Sequence, residues 1–78
     1  MPELFRMFGL RFFFFANDHL RIHVHVENAD GEVRFKVSSP IELISNSGLK
    51  NKDIHLAQSL IEENQDIIIK RWNEFFKS

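Results

Sequence analysis

Three of the chain's four histidines, His19, His23 and His25, lie within residues 11–27, RFFFFANDHLRIHVHVE, beside Asp18 and four consecutive phenylalanines. Imidazole titrates near neutrality, so His23 and His25 are candidate catalytic residues, with general acid–base cleavage of RNA as the chemistry they suit. Side chains alternate along a strand, which puts His23, His25 and Glu27 on one side and Ile22, Val24 and Val26 on the other. A His-x-His pair on a strand places two imidazoles within reach of one metal, and Asp18, His19 or His55 can complete such a site. Spacing of this kind specifies little. No metal and no cofactor is therefore assigned.

A second constellation shares the histidine side. Across the hairpin closed by Asp30 and Gly31, Arg34 and Lys36 are expected beside His23 and His25, because the available turn registers keep the four together. The run from Phe12 to Phe15 cannot hide on one side, so Phe13 and Phe15 are expected to join them, along with Arg11. Cations interleaved with rings suit stacking on bases and neutralising phosphates. Arg11, Phe13, Phe15, Arg34 and Lys36 are thus the candidate partner- or RNA-binding residues. The formal net charge of −1 and pI near 6.4 argue against a chain that grips nucleic acid over its whole surface. Any such contact must be a local patch. The plainer reading of the same residues is a solvated sheet face or a protein interface.

The elements that must position these residues follow from the hydrophobic period. With 78 residues the chain makes one domain, residues 1–78, and zero cysteines leave no disulfide or thiolate metal site to staple it. Alternation predicts strands over residues 4–8, 10–16, 22–27 and 32–37, with a short fifth strand over 41–44 at an edge. Gly9 marks a bend, Asn17-Asp18 a turn, and residues 28–31 the clearest hairpin. From Asn51, read as a helix cap with Asp53 in the first turn, the period changes. Ile54, Ala57, Ile61, Asn64, Ile68, Trp72 and Phe75 make one stripe. A straight helix over residues 52–77 is ~39 Å long at 1.5 Å per residue, more than the ~30 Å width of so short a compact chain. It must bend or overhang, and polar Asn64 is the place for a kink or split. The fold class expected is α+β, an antiparallel sheet of four to five strands packed against one long C-terminal helix, kinked or split.

The run IIIKRWNEFFKS covers more than one side of that helix, which implies a neighbour or a homo-oligomer. Charges interrupt every apolar stretch before membrane-spanning length, and residues 1–10 lack the pattern of a signal peptide. A cytoplasmic chain without membrane contact is expected. No Gly-rich phosphate loop, nucleophile elbow or paired acidic motif is present, so most enzyme classes have no support, and catalysis would rest on histidines alone.

The order LFRMFGLRFFFFANDH, then HVHVE, then a return strand, then LKNKD opening a helix that ends IIIKRWNEFF, resembles family 4160 of the bacterial domains of unknown function. The resemblance spans nearly the whole chain and rests on Phe15, Asn17, Asp18, His19, His23, His25, Val26 and Trp72. Where that family usually has proline between the NDH element and the next histidine, this chain has Leu20, Arg21 and Ile22, which puts the rigidity of that turn in question. Members are often encoded beside a second small domain, in an arrangement that looks like a toxin–antitoxin pair. The resemblance therefore implies a toxin-like component, neutralised by a cognate small antitoxin-like protein and directed at RNA or the translation machinery, and it adds Asp18 and His19 to His23 and His25 as candidate catalytic residues. The rival expectation is a non-catalytic interaction module, antitoxin-like and regulatory, that oligomerises through its apolar helix.

Overall fold

The computed structural model describes residues 3–14 and 22–76. Among them the order is β1 (Glu3–Met7), β2 (Leu10–Phe13), β3 (His23–Glu27), β4 (Glu32–Lys36), β5 (Glu42–Ser47), α1 (Asn51–Glu63) and α2 (Gln65–Phe75). The strands form one antiparallel sheet in the order β1-β2-β3-β4-β5, each beside its neighbour in sequence.

Alternation sets the two sides of the sheet. Val24 faces Phe35 and Val26 faces Val33 across β3–β4, and Phe12 faces Val26 across β2–β3. All five are buried, together with Leu10. The helices seal this side: Ile54, Ala57, Leu60 and Ile61 of α1 and Ile68 and Trp72 of α2 join the same cluster. Phe14 extends it, its ring meeting Trp72 edge-on with centroids 5.1 Å apart, a favoured aromatic geometry.

The β3–β4 turn is built by Asn28, whose Oδ1 accepts from the backbone N–H groups of Asp30 at 2.8 Å and Gly31 at 3.2 Å. Asparagine suits this role because its side chain can satisfy backbone donors two and three residues on. Gly31 presses against the end of β5 so closely that a Cβ there would lie 1.8 Å from the Ser47 carbonyl oxygen. On the other side of this contact, Gly48 has φ +102° and packs against Asp30. At the β1–β2 turn both Phe8 (φ 54°) and Gly9 (φ 78°) adopt left-handed backbone. Only the glycine does so without a steric cost.

Several expectations need correction. The C-terminal region is two helices and not one long helix. At Asn64 the backbone leaves helical geometry (φ −116°, ψ 20°), and Asn64 Nδ2 donates to the Leu60 carbonyl at 2.8 Å. A side chain that takes a helix carbonyl competes with the helix's own ladder. The interruption lets the stripes of both helices reach the core. Asn64 occupies the N-cap of α2 without a side-chain capping bond, and Lys50, not Asn51, occupies that of α1. The fifth strand is Glu42–Ser47, longer than residues 41–44, because a bulge opposite Arg34 and Phe35 carries the pairing on to Ser47. Asn46 then accepts from Leu49 N–H at 3.1 Å and donates to its carbonyl at 3.3 Å, which ends the strand. The part of the expected second strand beyond Phe14 lies outside the described residues. Among the described residues, no helix is long and apolar enough to cross a membrane.

Candidate functional site: the outer side of the sheet

The side of the sheet away from the helices carries the residues singled out by their chemistry. His23 lies opposite Lys36 and His25 opposite Arg34, while Arg11 lies opposite Glu27 and Phe13 opposite His25. Register thus gathers six of the candidates, Arg11, Phe13, His23, His25, Arg34 and Lys36, on one surface. Phe15, Asp18 and His19 lie outside the described residues. His55, considered as a further metal ligand, is exposed on α1, on the other side of the sheet.

The centre of the surface is a stack. The Arg11 guanidinium carbon sits 4.4 Å from the centroid of the Phe13 ring, and that ring stacks on His25 with centroids 5.4 Å apart and an interplanar angle of 23°. A cation over a ring face is attracted by the ring's quadrupole, and offset stacking suits the Phe–His pair. Carboxylates hold the stack in place. Arg11 donates to Glu3 Oε1 at 2.9 Å and to Glu27 Oε1, and His25 Nδ1 is 3.1 Å from Glu32 Oε2.

This geometry alters what the residues can do. Phe13 is 1% exposed and His25 3% exposed, although neither faces the helices. A ring so covered offers no face to a base, so Phe13 acts in the stack and not as a stacking platform for RNA. The Glu32–His25 contact has the form of a carboxylate orienting an imidazole, as in general-base pairs. At this burial its first effect is to satisfy a buried polar ring. Arg34 Nε is buried with no hydrogen-bond partner among the described residues. Sequence reasoning placed Glu27 on this side without giving it a role, and it missed Glu3 and Glu32. The signal for Glu32 was diagonal pairing: it lies opposite Glu27, two residues along from the partner of His25.

Charge on this surface is balanced. By register Arg6, Arg11, Arg34 and Lys36 share it with Glu3, Glu27, Glu32 and Glu42, four cations against four carboxylates. Such a surface lacks the positive excess that phosphate backbones require. Among the described residues, no group of three or more His, Cys, Asp or Glu is placed to hold a metal ion.

A family model described as Domain of unknown function (DUF4160) matches residues 9–73. The chain belongs to that family. The DUF4160 match takes in all of β2 to β5 and α1, most of α2, and every residue of the outer surface except those contributed by β1. Comparison with curated proteins and with solved structures finds no match.

Glu3, on β1, gives this DUF4160 chain a pH-dependent element. Hydrogen bonds from Arg6 first and Arg11 second hold its carboxyl below the ordinary value of 4.5, and Glu3 in turn raises the Arg11 guanidinium. A carboxyl lowered by folding adds stability that is present above its unfolded value and fades as pH falls through its folded value. The difference in Tm between the wild type and Glu3→Gln is therefore expected to be constant above pH 4.5 and to shrink below it. Melting curves taken on both sides of that value test this, and a difference that grows on acidification would contradict it.

Proposed function

We propose that this protein is the toxin-like component of a toxin–antitoxin module and that a cognate small protein neutralises it by covering the outer side of the sheet. The observation that carries the reading is the Arg11–Phe13–His25 stack, held by Glu3, Glu27 and Glu32 on the side that the helices leave uncovered. Arg11, held by Glu3 and Glu27, has little side-chain entropy left to lose on binding, which favours tight recognition on the surface it shares with Arg34 and Lys36. The balanced charges support a protein on this surface ahead of a nucleic acid. RNA or the translation machinery is then the target of the free toxin.

Induced expression is expected to arrest growth, and co-expression of the neighbouring small gene to restore it. Replacing Arg34 and Lys36 together by alanine is expected to weaken partner binding by roughly 10-fold or more, each being a charged contact at a protein interface. Titration calorimetry with the neighbouring gene's product measures this. Harmless expression, or arrest that the neighbour does not relieve, would refute the toxin reading.

A second reading draws on a different observation. Ile67, Ile69 and Phe75 are large apolar residues left exposed on α2, as suits a regulatory, antitoxin-like module that assembles through this helix. Under it, expression is harmless and Ile67→Lys abolishes assembly.

A further inference from the structure

An open antiparallel sheet has two edges, and here they are built differently. β1 carries Glu3 and Arg6, an exposed ion pair with N–O distance 3.1 Å, on an edge strand of five residues. Charges of this sort discourage another strand from docking. β5, ELISNS, is longer by one residue and exposed along its whole length, with a single charge and no lysine, arginine or proline. Its ladder to β4 uses one row of backbone groups. Among the described residues, no other strand of the sheet pairs with its second row.

From these observations we infer that β5 pairs antiparallel with β5 of a second copy of this chain, making a two-fold dimer with one continuous sheet. The backbone decides what kind of partner fits, because a row of unpaired N–H and C=O groups is matched best by another strand. The side chains make this strand compatible with itself. In a pairing centred on Ile44, each Glu42 lies opposite Asn46 of the second copy, so the two carboxylates sit at opposite ends. Ile44, 38% exposed, meets its symmetry mate at the axis, and Leu43, 43% exposed, lies beside it opposite Ser45 of the second copy. Two-fold closure uses up both open edges at once, and no further strand can add there. The bulge within β5 adds twist and shortens the regular stretch, so the contact is small. A dissociation constant above about 1 μM is expected for such an interface. The surface is separate from the outer side of the sheet and from α2, so the dimer does not depend on the toxin reading.

Sedimentation velocity on the full chain tests this over a dilution series. The wild type is expected to approach the mass of two chains at several hundred micromolar and to fall toward one on dilution. Ile44→Lys, with an unchanged melting curve, is expected to stay at one chain throughout. Because the chain contains no cysteine, Ile44→Cys supplies a single thiol beside the axis, and mild oxidation is expected to convert it to a linked dimer far faster than Ile67→Cys. A wild type of one chain's mass at every concentration would overturn the inference. So would a dimer that survives Ile44→Lys, or linkage at Ile67 as fast as at Ile44; if Ile44→Lys does not fold, the thiol comparison decides.

Discussion

Trp72→Ala is expected to unfold a large fraction of this protein at physiological temperature. Trp72 is buried where α2 crosses the end of β2, with Phe14 edge-on at 5.1 Å and Phe76 at 4.2 Å between centroids. Removing the indole deletes both ring contacts and leaves a void that the sheet cannot collapse into, a change that costs ~3–5 kcal/mol. A chain of 78 residues has roughly 4–12 kcal/mol in total. At ~4 °C or more per kcal/mol, Tm falls by at least about 12 °C. Ile67→Ala, on the exposed side of the same helix, is expected to stay within ~0.5 kcal/mol of the wild type. Calorimetric melting of both variants separates the two sides of α2. Equal effects would mean that α2 does not dock as described.

Gly31→Ala is expected to be nearly as damaging, for a reason unrelated to conformational freedom. The added methyl carbon would sit 1.8 Å from the Ser47 carbonyl oxygen, 2.8 Å from its carbon and 2.9 Å from Gly48 Cα. All three are backbone atoms, which cannot rotate away. The β3–β4 turn must then separate from the end of β5, at a cost of about 3 kcal/mol or more. Gly9→Ala provides the contrast. Gly9 has positive φ (78°), but a methyl carbon added there would meet nothing within 4 Å, so only the left-handed penalty of ~1–2 kcal/mol applies. Denaturant titration is expected to rank Gly31→Ala well below Gly9→Ala. The reverse order would show that the turn and β5 are not in close approach.

Much of this architecture was legible in the residues because period-two alternation is strong where one side of a sheet is buried. Val24, Val26, Val33 and Phe35 placed β3 and β4 and fixed which residues share a side. That same parity put His23, His25, Arg34 and Lys36 together, as the register does. The length of β5 was illegible, since Ser45, Asn46 and Ser47 look like a loop and become strand only by pairing with Arg34, Val33 and Glu32. The C-terminal stripe, too long for so short a chain, put a kink or split at Asn64 without showing that the backbone leaves helical geometry there and makes two helices. A side-chain bond to the Leu60 carbonyl decides that. Burial of His25 was the largest omission at the site. Alternation gives the side on which a residue lies, but not whether the Phe13 ring will stack over it. Such covering depends on cross-strand neighbours and on carboxylates two residues along, which a single-strand pattern does not encode.

The nearest-neighbour strand order also governs how the polypeptide is made. Each hairpin can close as soon as its own residues are synthesised, since no strand waits for a distant one to arrive. The segments that roof the Phe12 and Phe35 side come last, ending with Trp72. During translation the nascent ribbon therefore holds its greasiest surface open to solvent, and that interval is when a chaperone would matter most.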